Sequence, residues 1–140
     1  MNSFEDCLKS GKLRKFSVTK EKIKIEIKSA REDLKEAKDR FNKKKYKYAT
    51  ITAYYSLFHS ARALLYSRGY RERSHYCLKI AIEKLFVKEK ILDTKFIDYF
   101  EEALGLREAA DYQSLFSKDG AQRAVKEARE FFKEMKEICS

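Results

Sequence analysis

The chain of 140 residues is long enough for one domain with its own hydrophobic core. It has no proline and four glycines, and 39% of its residues are charged and 44% hydrophobic. This composition indicates an all-α protein whose helices expose their polar faces to solvent. The net charge is +10, and residues 1–50 carry most of it, with 16 Lys and Arg against 8 Asp and Glu. This excess is either a surface that attracts phosphate groups or an ordinary solvated lysine-rich face.

Several classes of protein are excluded by what the sequence lacks. Cys7, Cys77 and Cys139 form neither a CxxC pair nor a zinc-binding spacing, so we expect three free thiols in a reducing cytoplasm. Only two histidines and no Gly-rich phosphate loop are present, so we expect no metal site and no cofactor. The longest uncharged run, residues 48–61, is too short and too polar to cross a bilayer, and the N-terminus lacks the apolar stretch of a signal peptide. These features predict a cytoplasmic protein that does not enter a membrane.

Apolar residues recur at helical spacing along most of the chain. We predict a short helix at residues 3–10, a connector at 11–18 and a first long helix at 19–42, whose apolar positions form one narrow seam. The second helix, over residues 46–67, is apolar around much of its circumference. Such a helix lies either in the centre of the fold or in a subunit interface.

Three more helices follow the second one. Ser74 caps a third helix that reaches about residue 88, a fourth begins near Asp93 or Thr94, and Ser117 caps the last. The loops between helices are short, which favours antiparallel neighbours. We therefore predict an all-α, antiparallel four- to five-helix bundle of the up-and-down type. The N-terminal helix and connector occupy residues 1–18, and the bundle domain occupies residues 19–140.

Arg107 interrupts the apolar line of the fourth helix, because the positions Phe96, Phe100 and Ala103 lead directly to it. A guanidinium on an apolar face must be desolvated and needs a partner. One interpretation is a structural ion pair with Asp111, one helical turn later, with Tyr112 packed on it. The other is a planar fork held ready for a phosphate group.

A second candidate site surrounds the start of the third helix. Arg68, Arg71, Arg73 and His75 crowd the loop that leads into the helix N-terminus, a place that suits an anion. The alternative is an ordinary basic turn. Phosphate or nucleic-acid binding residues in the two basic regions are therefore expected to include Arg71, Arg73, Lys43, Lys44 and Lys45.

The second helix also carries candidates for an interface. Tyr48 and Tyr55 lie off its main apolar seam, and tyrosine suits surfaces that are half apolar and half wet. His59 lies between the two apolar lines of this helix. We interpret it as a hydrogen-bonded core or interface histidine rather than a catalytic base.

Three stretches together resemble the HEPN domain (higher eukaryotes and prokaryotes nucleotide-binding). "AREDLKEAKDRFNKKKYKYATITAYYSLFHSARALLYSRG" is similar to its opening helix pair, "SHYCLKIAIEKLFVKEKIL" to its middle helix, and "LGLREAADYQ" with the long helix after it to its end. The resemblance covers about residues 20–138. It is nearest to the small stand-alone branch labelled UPF0332.

The resemblance implies a bundle that usually forms a homodimer and is encoded beside a minimal nucleotidyltransferase as a toxin–antitoxin pair. Many members are metal-independent ribonucleases whose motif is an arginine and a histidine separated by four to six intervening residues. Arg107 matches the arginine here, but Tyr112 stands five residues on and no histidine follows. Arg68 and His75 have the required spacing, but they bridge the wrong helices, and we interpret that spacing as a coincidence.

Three functions remain open from the sequence. The first is a HEPN homodimer that binds RNA or nucleotide phosphate in an arginine-containing cleft, and the second is a metal-independent ribonuclease with a degenerate motif. The third is a non-catalytic interaction module for the nucleotidyltransferase. The catalytic candidates are Arg107, Asp111, Tyr112 and His75, where His75 or Tyr112 would replace the missing histidine. The resemblance also makes Tyr112 a candidate for nucleotidylation by the partner.

Overall fold

Helices make up most of the computed structural model, which describes residues 3–140. Within these residues a two-stranded sheet accompanies six α-helices, and the elements are α1 (Ser3–Lys9), β1 (Leu13–Lys15), α2 (Lys20–Asn42), α3 (Tyr46–Ser67), β2 (Tyr70–Glu72), α4 (His75–Ile82), α5 (Lys95–Gln113) and α6 (Lys118–Cys139). A π-helical segment, Glu83–Val87, continues α4. The predicted all-α helical bundle is confirmed.

Side-chain caps set the beginnings of three helices at the predicted residues. The hydroxyl groups of Thr19, Ser74 and Ser117 each accept a hydrogen bond from the backbone N–H three residues on, at 2.9–3.2 Å. Each of these bonds satisfies a donor that the first helical turn leaves unpaired. The fourth predicted helix begins at Lys95, where the Asp93 carboxylate accepts the backbone N–H.

The helix α3 is the centre of the bundle and packs against α2, α5 and α6. Leu57, Leu64 and Leu65 on α3 are completely buried, and Tyr54 is only 1% exposed. Each buried side chain of this size contributes about 1.5–3 kcal/mol through removal of apolar surface from water. The sequence left two positions open for this helix, the centre of the fold or a subunit interface. Burial in the centre of the fold explains why most of its surface is apolar.

The connector predicted at residues 11–18 contains a strand. Residues Leu13–Lys15 pair antiparallel with Tyr70–Glu72, and two further backbone bonds extend the ladder. Phe16 N–H donates to the carbonyl of Gly69 at 3.0 Å, and Arg73 N–H donates to the carbonyl of Lys12 at 2.8 Å. Strands of three residues carry too short an alternation to be recognised from sequence.

The expectation of three free thiols is wrong, because Cys7 and Cys77 form a disulfide. Their Cα atoms lie 5.8 Å apart, although the residues are 70 positions apart in the chain. The pairing arises because the small sheet brings α1 beside α4, a long-range effect without a local sequence pattern. Cys139 remains a free, half-buried thiol.

No helix among residues 3–140 is long and apolar enough to cross a membrane.

Candidate functional site

Arg107 lies on α5 inside a cluster of three tyrosines. Its guanidinium carbon is 5.8, 5.7 and 5.3 Å from the ring centroids of Tyr54, Tyr55 and Tyr112. Its Nη2 donates to the Tyr55 hydroxyl at 3.3 Å and pairs with the Asp111 carboxylate at 3.3 Å. The Arg107 side chain is 18% exposed, so a small part of it reaches solvent.

Both predicted interpretations of Arg107 find support in this geometry. The pair with Asp111 is present, as the structural interpretation requires. However, both contacts use Nη2, and within residues 3–140 neither Nη1 nor the buried Nε has a hydrogen-bond acceptor. Burial alone would lower the pKa of Arg107, but the hydrogen bond to Tyr55 and the nearby ionisable groups raise it, so the group stays charged. The aromatic rings offset part of the cost of covering that charge.

The structure brings His75 to the same cluster from a different helix. Nδ1 of His75 forms a short hydrogen bond with the hydroxyl of Tyr54, whose ring lies beside the Arg107 guanidinium. Burial lowers the pKa of His75, with Glu72 opposing the shift and Arg107 adding to it. Burial also raises the pKa of Tyr54. At neutral pH the imidazole is therefore neutral and the phenol keeps its proton, and the imidazole tautomer decides whether the phenol donates to Nδ1 or Nδ1–H donates to the phenol oxygen.

His75 also lines a cavity of about 530 Å³, which we call the basic pocket. Its walls come from α3, β2 and the start of α4, and the lining residues are Phe58, Arg62, Arg71, Glu72, Arg73, Ser74 and His75. Arg62 is neutralised, since its Nε donates to the Glu72 carboxylate at 3.0 Å. Arg71 and Arg73 form no ion pair in the described part of the chain, so the pocket keeps a positive charge. Arg68 does not line it and stacks instead on Phe86, at 4.6 Å.

The predicted lysines of the α2–α3 turn lie away from this pocket. Lys43 pairs with the Asp39 carboxylate at 3.0 Å, and Lys45 immediately precedes α3. Tyr55 is ten residues further along α3, which corresponds to about 15 Å along the helix axis. Any phosphate contact of Lys43, Lys44 and Lys45 is therefore a separate one.

Two of the three predicted interface residues are well exposed. Tyr48 is 52% and Tyr55 39% exposed. His59 is half-buried, and its Nδ1 lies 2.6 Å from the Glu26 carboxylate on α2, with Asp33 3.8 Å from its Nε2. This agrees with a hydrogen-bonded core histidine, and its contact with a partner stays a prediction. Tyr112, the predicted modification site, is 70% exposed.

Sequence reasoning missed four residues of the site: Tyr54, Phe58, Arg62 and Glu72. Tyr54 is a core residue that is 1% exposed, and its hydroxyl also joins His75 to the surroundings of Arg107. Glu72 is 5% exposed, and the arginines on either side of it are more exposed. This alternation of exposed and buried residues is the pattern of a strand, and it would have pointed to Glu72 only if β2 had been recognised. Among the described residues, no three His, Cys, Asp or Glu side chains are grouped as a metal site.

Comparison with known proteins places these residues in a family context. The model of the HEPN domain matches residues 23–138. "Putative toxin MJ0142" of Methanocaldococcus jannaschii is 30% identical over 88 residues, which cover 63% of this chain and 60% of that protein. "Putative toxin MJ0605" of the same organism is 33% identical over 93 residues, which cover 66% of this chain and 69% of that protein. The similarity to the first relative thus spans less than two thirds of its length.

Proposed function

Because this chain belongs to the HEPN domain family, we propose that it is a toxin-like protein that binds RNA or nucleotide phosphate through Arg107 and the basic pocket. The observation that carries the proposal is the state of Arg107, a charged fork whose Nη1 and Nε have no acceptor among residues 3–140. A buried donor such as Nε costs about 1–3 kcal/mol while it lacks an acceptor, and Nη1, which is not among the buried atoms, can donate to a phosphate oxygen. The names of the two relatives support the toxin-like part.

The basic pocket supports the same proposal from the other side of Tyr54. Arg71 and Arg73 contribute two positive charges that no carboxylate in the described chain neutralises, and His75 connects the pocket to Tyr54. Exposed aromatic rings next to Arg107 suit the stacking of unpaired bases, and Tyr112 offers the largest exposed surface. An RNA strand with phosphates at both places would bind with a strong dependence on salt.

A metal-independent ribonuclease is the second candidate, and the position of His75 favours it. In such a reaction the 2′-hydroxyl loses its proton and attacks the adjacent phosphate, and the bond to the 5′-oxygen breaks. The 5′-oxygen takes up a proton from solvent and leaves as a hydroxyl group, and a 2′,3′-cyclic phosphate remains. A neutral imidazole can take the 2′-hydroxyl proton when its Nδ1–H donates to Tyr54, because Nε2 is then free. Arg107 would stabilise the negative charge that develops on the phosphate.

We also propose partners for the exposed tyrosine surface. Tyr48 and Tyr55 lie seven residues apart on one side of α3, and Tyr55 and Tyr112 both contact Arg107. Exposed aromatic surface of this kind suits a homodimer and a cytoplasmic nucleotidyltransferase partner, to which Tyr112 would be accessible. Light scattering should then give twice the chain mass of 16.6 kDa, and the nucleotidyltransferase should co-purify. A monomer that elutes apart from the nucleotidyltransferase would contradict this part.

The binding proposal is tested with a fluorescent single-stranded RNA and with AMP, in EDTA. We expect Arg107→Ala to weaken RNA binding about tenfold or more, since hydrogen bonds to charged groups contribute about 1.5–3 kcal/mol. Arg129→Ala, which removes an exposed arginine of α6, is the matched control and should change affinity about twofold or less. Equal affinity of wild type and Arg107→Ala would refute the proposal. The same samples, analysed for 2′,3′-cyclic phosphate ends, decide the ribonuclease candidate.

A further inference from the structure

The strand that carries the arginines of the basic pocket depends on the N-terminal segment for its backbone hydrogen bonds. β2 pairs with β1, and the bonds of Phe16 to Gly69 and of Arg73 to Lys12 close the ladder at both ends. The Arg71 guanidinium also lies 5.7 Å from the ring centroid of Phe16. Without residues 12–16, the backbone of residues 69–73 would lose these partners and its fixed path.

A disulfide attaches this N-terminal segment to the opposite wall of the pocket. Cys77, its partner on α4, lies two residues after His75 in the first helical turn, and the Ser74 hydroxyl accepts the N–H of Cys77. Leu13 is 1% exposed. The segment is also held by the aromatic pairs of Phe16 with Tyr66, at 5.0 Å, and of Phe4 with Tyr70, at 5.8 Å. One covalent bond thus joins the N-terminal segment to the turn that holds His75.

We propose that residues 3–18, which we call the N-terminal strap, position the basic pocket, and that the Cys7–Cys77 disulfide makes this positioning sensitive to thiol reductants. The strap lies outside residues 23–138, the part that matches the family. The RNA-affinity part of the inference rests on the proposed function of the pocket. The closed disulfide holds Arg71, Arg73 and His75 in one arrangement, and the open form lets β1 separate from β2.

The chemistry requires a dithiol reductant. The sulfur–sulfur bond of Cys7 and Cys77 breaks and takes up two electrons and two protons as two thiols, while the reductant becomes a disulfide. Both cysteines are at most 3% exposed, but a cavity of about 340 Å³ is lined by them and by the exposed residues Ser10 and Lys12. A small dithiol such as dithiothreitol can enter at this point.

The test compares oxidised and reduced full-length protein by amide hydrogen exchange and by RNA binding. On reduction we expect protection of the Phe16 and Arg73 amides to fall by about tenfold or more beyond the fall in the middle of α3, because the α3 amides report only the loss of global stability. RNA affinity should fall by roughly fivefold, because two phosphate contacts become disordered. Cys7→Ser should behave like the reduced protein, and Cys139→Ser should respond to reductant like the wild type.

Each result separates the strap from the proposed function. Unchanged protection of the Phe16 and Arg73 amides after complete reduction would overturn the proposed role of the strap, whether or not the protein binds RNA. An equal loss of protection along α3 and at Phe16 and Arg73 would make the disulfide only a general stabiliser and would also overturn the strap. If the oxidised protein does not bind RNA, the proposed function fails, and the exchange data still decide whether the disulfide positions β2. Reduced wild type replaces Cys7→Ser if that variant does not fold.

Discussion

Removal of the Arg107 side chain should lower stability by a small, predictable amount. Arg107→Ala eliminates one hydrogen bond to Tyr55, one ion pair with Asp111 and the contacts with three rings. Asp111 is 38% exposed, so water solvates its carboxylate when the arginine is absent, and such a pair contributes about 0–1 kcal/mol. The ring contacts add about 0.5–1 kcal/mol each at partly exposed positions, and relief of the unpaired Nε–H subtracts about 1–3 kcal/mol.

We therefore expect Arg107→Ala to reduce the free energy of unfolding by about 1 kcal/mol, within roughly 1 kcal/mol either way. For a chain of this length the melting temperature would change by about 3–4 °C per kcal/mol. Urea unfolding followed by circular dichroism measures this directly. Asp111→Asn and the double variant complete a cycle, which should give a coupling energy below about 1 kcal/mol.

A loss of about 3–5 kcal/mol in Arg107→Ala would refute this reasoning, because that range belongs to a buried pair that has lost one partner. Arg107 would then be a structural clasp closed by Asp111, and weak RNA binding by the variant would reflect unfolding. A small loss of stability together with a large loss of RNA affinity would instead assign the guanidinium to ligand binding. Measurement of both quantities on one sample distinguishes the two predicted roles of Arg107.

Three further predictions concern stability. The Cys7–Cys77 disulfide closes a loop with a sequence separation of 70 residues. Its reduction should lower the free energy of unfolding by about 4 kcal/mol, because the unfolded chain gains conformational entropy. An unchanged melting temperature after reduction would contradict this prediction. The folded-state pKa of His75 is lowered, so its contribution to stability is present above its unfolded pKa of about 6.5 and is lost as pH falls. In urea titrations between pH 7 and 5, His75→Gln should therefore lose less stability than the wild type. Parallel pH profiles of the two proteins would contradict this prediction. Burial and the neighbouring Glu102 raise the pKa of Glu127 to about 7, so the contribution of Glu127 to stability is present at low pH and is lost as pH rises through 7. Glu127→Gln should therefore be more stable than the wild type at pH 8 but not at pH 5. Equal stability of the two proteins at pH 8 would refute this prediction.

The parts of the fold that could be predicted from sequence are those set by local chemistry. Ser74 and Ser117 were predicted as caps because a hydroxyl that accepts a nearby backbone N–H is a short-range arrangement. Arg107 was identified because it breaks a regular apolar spacing. The disulfide of Cys7 and the β1–β2 pairing could not be predicted, since both join segments more than 50 residues apart and leave no periodic pattern.

The sequence offered His75 as one replacement for the missing histidine, but the connection of His75 to Arg107 through Tyr54 could not be predicted, for a related reason. A spacing motif can detect only a histidine that follows the arginine closely in sequence. No histidine follows Arg107, so the motif left the acid/base position unfilled. In the structure, α4 presents His75 to Tyr54 from outside the main bundle, and Tyr54 in turn packs against Arg107. A histidine from another helix therefore reaches the surroundings of the arginine within one protomer.

This arrangement makes the two halves of the candidate site unequal in how they are held. Arg107, Tyr54 and Tyr55 belong to α3 and α5, whose positions the buried core of the bundle determines. The strand β2, which carries Arg71, instead rests on a sheet of three residue pairs, while Leu78 and Ile82 anchor α4 in the core. Local opening requires the least free energy where few buried contacts must break. Any change of state in this site should therefore begin at β2, while Arg107 keeps its place.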